Sequence, residues 1–399
     1  MHVGIHIHEY VPTSGGGYTF QRDILKASID LAPQSGHRFS VLAYPSNELL
    51  KSKDAFGSVE FIPIEQPAAQ PVRQSGMLDR FKRKDDLPAN IESLSPLDFT
   101  IKKYGIEFVW FVTPAYELTD IPYIATVWDL QHRLQPWFPE VGRLTEWNGR
   151  ESYIATFLRR ATYIIGANKT GCKEISQFYQ IPETRVIGLS HPTPALSPVS
   201  AREMQGTLTK YGLEPGYLFY PAQFWAHKNH ANLLHAVKIL KERYGMTPEV
   251  VFVGSDKGNL PYLKNLAASL RIETQVHFLG FVSDVEITAL YKNALALVYL
   301  SFFGPENLPP LEAFSVGCPV IASRVSGASE QLGDAALLVS PVDSEEIARA
   351  IQLMQDANQR RSLIDRGFAR VEKATSTEYV RKVFSLLDEF QLVRRAWGS

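Results

Sequence analysis

From Gly304 to Pro319 the chain reads GPENLPPLEAFSVGCP, three residues after the apolar run LALVYL. Gly304 and Pro305 turn the chain where a strand would end, Pro309 and Pro310 preset the first turn of a helix, and Glu312 is expected within that turn. A carboxylate there accepts hydrogen bonds, and vicinal sugar hydroxyls such as those of a ribose are its natural donors. An isolated Glu also merely complements a helix amino-terminus. Glu306 and Asn307, in the preceding loop, offer groups to further hydroxyls. The loop amides, through Leu308, are open to phosphate or sugar oxygens.

Two other stretches carry groups suited to phosphate. In YPAQFWAHKNH, Lys228 follows a strand pattern and stands at the entry to a helix, where an ammonium and free backbone amides neutralise a diphosphate together; a solvated lysine is the alternative. Near the start, Gly15, Gly16 and Gly17 lie between a strand and a helix, so bare backbone can approach a ligand at the positive end of that helix. They do not form the GxGxxG fingerprint, and a plain tight turn accounts for three glycines as well.

The elements around these residues alternate. The first half opens with a strand at Val3–His8, then a helix from Tyr18 with Phe20, Ile24, Ala27 and Leu31 on one face. Short apolar runs follow at FSVLAY, VEFIPI, FVWFV, YIATVWDL and YIIGAN, as in a parallel sheet with helices on both faces. Pro and Ser accumulate at SHPTPALSPVS, residues 190–200, and a second alternation begins there: YLFYPA, EVVFVG, VHFLGF, LALVYL, PVIAS and ALLVSP, with helical patterns between several of them. One of these helices places Leu233, Val237, Leu240 and Tyr244 on one face and ends at Gly245. Ser283 with Glu286, and Thr375 with Glu378, are spaced as capping boxes.

The expected fold is therefore α/β: two tandem doubly wound, Rossmann-like domains, 1–195 and 196–375, with their loops facing a cleft. The last helical pattern, about 376–399, sets Tyr379, Val383, Leu386 and Phe390 along one stripe. Residues 70–93 are polar and weakly periodic. They read as a mobile excursion of the first domain, a solvated loop or, through Arg80, Lys82, Arg83 and Lys84, a membrane or acceptor patch.

Composition narrows the partners. A chain of 399 residues that is 45% hydrophobic holds enough apolar material for two cores. With 41 basic against 42 acidic residues there is no overall field to gather nucleic acid or an anionic membrane, so any membrane contact would be local and peripheral. Cys172 and Cys318 belong to no CxxC or Cys/His cluster, which argues against a disulfide framework or structural zinc and for a reducing cytoplasm. No run approaches the ~20 apolar residues of a membrane span.

The stretch at 304–319, with GDAALLVSPVDSEEIARAI at 333–351, resembles the signature of the retaining, two-domain (GT-B) glycosyltransferases of family 4, or group 1. The resemblance covers most of the chain, strongly from 215 to 355 and more loosely from 1 to 190. It implies that Glu312 binds the nucleotide ribose, Lys228 the donor diphosphate, and Gly15–Gly17 the same diphosphate. It also implies that the FLGFV segment, with Gly280, Phe281 and Val282, reads the base through its backbone.

Three departures stand out. The family's first signature Glu falls on Gly304, which moves donor-sugar contacts to Glu306, Asn307 and loop amides; its Arg before the lysine is Gln223; and its His before Asp129 is Trp128. Asp129 and His132 remain as polar candidates beside Lys228 and Glu306. Trp128 suits the core or acceptor stacking equally, and His132 a structural place.

The resemblance implies a retaining hexosyltransferase that needs neither cofactor nor metal, since no DxD-type cluster ends a strand. Its co-substrate would be a nucleotide sugar, GDP-mannose ahead of a UDP-hexose, and its acceptor a glycan or lipid-linked sugar of surface polysaccharide assembly. A nucleotide-sugar epimerase and a catalytically inactive nucleotide-sugar-binding protein are the competing classes.

Overall fold

The computed structural model describes residues 1–11, 15–47, 49, 59–65, 95–114 and 117–397. The basic run at Arg80–Lys84 and the rest of the 70–93 excursion lie outside the described residues.

Seven strands form the first sheet: β1 (His2–His6), β2 (Arg38–Ala43), β3 (Glu60–Pro63), β4 (Phe108–Phe111), β5 (Tyr123–Val127), β6 (Tyr163–Gly166) and β7 (Val186–Gly188). They are ordered β3-β2-β1-β4-β5-β6-β7, and every described pairing is parallel. Six strands form the second: β8 (Leu218–Pro221), β9 (Val250–Val253), β10 (Val276–Phe278), β11 (Ala296–Tyr299), β12 (Val320–Ser323) and β13 (Ala336–Val339), ordered β10-β9-β8-β11-β12-β13 and likewise parallel. β4, β5, β8, β9, β11 and β12 are apolar almost throughout, and β1 is buried along its whole length, because helices cover both faces. In each sheet the strand order reverses beside the first strand, at β1/β4 and at β8/β11, and a crevice opens at the strand carboxyl ends there. The two crevices face one another.

The strand pattern is legible in the sequence except for β7, whose three residues are too short to alternate. Other differences are local. β1 stops at His6 rather than His8, and the first helix, Gly16–Leu31, begins within the glycines rather than at Tyr18. The Ser283/Glu286 capping box is complete, and so is an unexpected one at Ser200 and Glu203. Thr375 caps its helix by accepting from Glu378 N at 3.2 Å, but the Glu378 carboxylate turns to Arg381 and the box is half made.

Two segments cross between the domains, residues 190–200 and the chain before the last helix, and they run side by side where Thr193 N donates to Ala374 O at 2.7 Å. The last helix, Ser376–Arg394, lies in the core of the first domain: Phe384 stacks on Phe39 at 4.5 Å and Phe390 packs on Phe108 at 5.0 Å. Leu387 takes the fully buried place in its stripe and Leu386 stands half-buried beside it, one residue of helical phase from expectation.

Candidate functional site

A cavity of about 550 Å³ occupies the space between the two crevices. Its walls come from both domains. From the first come the glycine turn, Arg22 and Asp129; from the second come Lys228, the Phe281–Val282 stretch and the Gly304–Leu308 loop with Glu312 behind it.

The helix containing Glu312 runs Leu308–Ser315, so the first turn is Leu308–Leu311 and Glu312 lies one turn inside, not in the first turn. A dipole role belongs to the first turn, and that plain explanation for the carboxylate falls away. Glu312 is instead a cavity wall residue whose Oε2 accepts from the fully buried Tyr291 hydroxyl at 2.7 Å. Burial pushes its pKa above the ordinary carboxylate range, against the pull of that hydrogen bond and with help from the charges of Asp23 and Asp284. A half-buried acceptor whose Oε2 is held by Tyr291 is suited to hydroxyl donors arriving from the cavity.

Lys228 closes a short 3-10 turn, Ala226–Lys228, after β8. Asn229 follows in the left-handed region, φ 57°, and its side chain ties the turn down to Leu300 O and Pro341 O at 2.9 and 2.8 Å. The ammonium donates to the Tyr299 hydroxyl at 2.9 Å, and that hydroxyl donates to Asn307 Oδ1 at 3.2 Å. The cation is thereby delivered to the Gly304–Leu308 loop.

That loop explains its own departure from the family pattern. Gly304 has φ 134°, and a Cβ there would stand 2.5 Å from the Asn307 amide nitrogen. The Asn307 side chain has taken the room, donating to Gly304 O at 3.1 Å. Glu306, proposed for sugar hydroxyls, lines the cavity but is buried, and its Oε2 accepts from both the backbone and Nδ1 of His191, at 2.6 and 2.8 Å. One carboxylate oxygen therefore holds the interdomain segment, leaving the other for a ligand.

The three glycines differ. Gly15 requires its freedom, with φ 77° and open space where a side chain would start. At Gly16 a Cβ would meet Leu308 Cδ1 of the other domain at 3.0 Å, and at Gly17 it would meet the Tyr10 ring at 3.1 Å and Trp128 at 3.4 Å. The turn is bare partly so that the second domain can close on it. The helix behind it starts at Gly16, and its first amides have no intrahelical acceptors.

Two expected residues lie off the cavity wall. His132 is fully buried, with Nε2 3.2 Å from Glu151, and burial pushes its pKa down against that carboxylate's pull. It is a structural part of the Arg133, Glu151 and Tyr179 network rather than a cleft residue, because a short helix, Gln131–Leu134, turns it inward. Gly280 is the bend behind Phe281: φ is 70° and its carbonyl accepts from Gly254 N at 2.9 Å, which presents Phe281 and Val282 instead. Asp129 does face the cavity, its Oδ1 accepting from Gln131 N at 3.0 Å. Trp128 lines the cavity too, in an aromatic group with Tyr10, Phe20 and His191.

Sequence reasoning missed Arg22, Asp284, His191, Tyr299 and Tyr291. Arg22 and Asp284 approach to 3.5 Å across the cleft, from helices of different domains. Only the position of Arg22 one turn beyond the glycines hinted at the site. His191 lies in the Pro/Ser-rich segment and the two tyrosines in apolar patterns, where nothing distinguishes them from linker or core.

Residues 209–370 match the family model for glycosyl transferases group 1. The matched stretch makes up most of the second domain. O-antigen chain mannosyltransferase B of Escherichia coli is 30% identical over 226 residues, which are 56% of this chain and 59% of that protein. The serotype-specific mannosyltransferase WbdA of Escherichia coli is 28% identical over 254 residues, 61% of this chain and 30% of that protein. The matches thus span little more than half of the first relative and under a third of the second. The crystal structure of a glycosyltransferase from Rickettsia africae superposes over 97% of this chain and 98% of that one, with TM-score 0.71 and 16% identity. The fold is GT-B, and the matched stretch contributes Lys228, the Gly304–Leu308 loop and Glu312 to its cleft.

Proposed function

We propose that the protein is a retaining glycosyltransferase that moves a hexose, mannose in our reading, from a nucleoside-diphosphate sugar to a glycan or lipid-linked acceptor. One observation carries it: Lys228, the bare glycine turn and the half-buried Glu312 line a single cavity between two doubly wound domains. Glu312 holds the ribose, Lys228 and the helix amino-terminus at Gly16 hold the diphosphate, and Phe281–Val282 meet the base. The acceptor enters from the first domain beside Asp129 and Trp128.

The chemistry follows from charge. As the sugar leaves, negative charge grows on the diphosphate, and preorganised donors aimed at it lower the barrier. The leaving diphosphate takes the acceptor's proton on the same face, so configuration is retained without a covalent intermediate. Among the described residues no three His, Cys, Asp or Glu side chains are grouped to hold a metal ion, and the lysine and helix dipole supply the charge in our reading. No described helix is long and apolar enough to cross a membrane, and contact with a lipid-linked acceptor would be peripheral.

Mannose is favoured because two relatives are named mannosyltransferases. A thermal-shift panel of GDP, UDP, ADP and their sugars tests the donor. The largest stabilisation is expected with GDP compounds, because a ligand that binds only the folded form raises stability with its concentration over its dissociation constant. A preference for UDP overturns GDP-mannose and keeps the transferase; release of free nucleotide from a donor separates a transferase from an inactive binding protein.

A further inference from the structure

The HKNH motif contains two histidines with different surroundings. His230 is a core residue, stacked on Tyr220 with ring centroids 4.5 Å apart, and burial drives its pKa down to about 3. His227, next to the phosphate lysine, faces the other domain. Its backbone N donates to Glu140 Oε1 at 3.0 Å, and its Nδ1 pairs with the same oxygen.

Glu140 belongs to the short helix Pro139–Gly142 of the first domain, and its neighbourhood docks on the second as a unit. Phe138 packs on Phe302 at 5.7 Å and on His227 at 6.2 Å, and Gln135 Nε2 donates to Phe302 O at 3.0 Å. From the opposite side Phe302 N donates to His227 O at 2.8 Å. The residue before Lys228 is thus gripped by its own domain through its carbonyl and by the other domain through its amide and ring. The second domain closes the turn itself, with Lys228 N donating to Trp225 O at 3.1 Å, and the first domain adds a second hold at the residue before the lysine.

We propose that Glu140 is a positioning residue that acts through His227: closure of the domains sets the Ala226–Lys228 turn, so Lys228 reaches its working position only in the closed enzyme. This rests on the reading of Lys228 as the diphosphate group. The arrangement is reversible by construction. Glu140 Oε2 is buried without a hydrogen-bond partner, so closure leaves one carboxylate oxygen unsatisfied, and water regains it on opening. The device makes leaving-group stabilisation conditional on a closed cleft, which limits loss of the donor to water while the cleft is open.

The test uses the full chain with Glu140→Ala and the near-isosteric Glu140→Gln, which keeps a carbonyl acceptor for the His227 amide. Small-angle scattering without ligand is expected to show a larger radius of gyration for Glu140→Ala than for the parent. With GDP-mannose, Glu140→Ala is expected to lower kcat by about ten- to a hundredfold, the range for losing a buried hydrogen bond to a charged group. GDP affinity by calorimetry should fall several-fold less than kcat, since the ribose and base contacts lie in the second domain and only the diphosphate contacts depend on closure, and Glu140→Gln should recover part of kcat. An unchanged scattering profile, or equal losses in GDP affinity and kcat, overturns the proposal. If the parent binds UDP instead, the donor reading fails alone and the same comparison is made with UDP-glucose; if it binds neither, scattering decides the positioning role.

Discussion

Lys228 and Tyr299 are joined by a hydrogen bond of 2.9 Å, with the ammonium also lying 5.4 Å from the centre of the tyrosine ring. The lysine reaches the cavity held at its tip rather than waving in solvent, so its charge is in place before the leaving group develops its own. Lys228→Ala should lower turnover more than it lowers donor binding, because the attraction grows as the diphosphate departs. Tyr299→Phe should have the same sign and a smaller size. Steady-state kinetics with calorimetric titration of the nucleoside diphosphate separates the two quantities, and equal losses for Lys228→Ala would make it a ground-state anchor.

Glu312→Gln should keep the fold and weaken nucleoside-diphosphate binding by about 1–2 kcal/mol, the difference between charged and neutral hydrogen-bond acceptors. It should also change stability with a definite sign. The native state holds the Glu312 proton at pH values above the ordinary carboxylate range, where the unfolded chain has released it, so this group's contribution falls as pH rises through that window. The ligand-free variant should therefore gain in melting temperature over the parent, and gain more at pH 8 than at pH 4.5. Parallel melting curves across pH would remove Glu312 from this account.

Gly304→Glu restores the residue type of the family pattern, yet it should impair the protein. A Cβ at position 304 would lie 2.6 Å from Asn307 Oδ1 and would hold a backbone φ of 134° that side chains disfavour. Both Gly304→Glu and Gly304→Ala should lower the melting temperature and weaken donor binding by displacing Asn307. Full donor affinity in Gly304→Ala would show that the Asn307 position is immaterial.

Gly16→Val should leave each domain folded and obstruct their approach, since its side chain meets Leu308 across the cleft. Turnover should fall while melting temperature barely moves, and Leu308→Ala in the same chain should recover part of the loss. Absence of any recovery in the double variant would place the defect in the glycine turn itself rather than in closure.

The sequence by itself determined the two alternating domains, the parallel strands and the identity of the phosphate- and hydroxyl-binding candidates. These depend on short-range properties: apolar periodicity, glycine and proline placement, and a charged residue just past a strand end. That is why Glu312, Lys228 and Gly15–Gly17 could be named before their meeting place was known. His132, for which the sequence left a structural place open, is buried on a one-turn helix away from the cavity wall, an orientation no spacing encodes.

Only the tertiary structure decided which groups meet across the cleft: Glu140 with His227, Glu306 with His191, Arg22 with Asp284, Gly16 with Leu308. Each pair joins residues far apart in the chain, and their encounter depends on the relative placement of two separately packed cores and the crossing segments between them. Local pattern carries no record of that placement. The same limit hid Tyr291 and Tyr299, whose ring patterns read as core and whose hydroxyls acquire their roles from the residues opposite them.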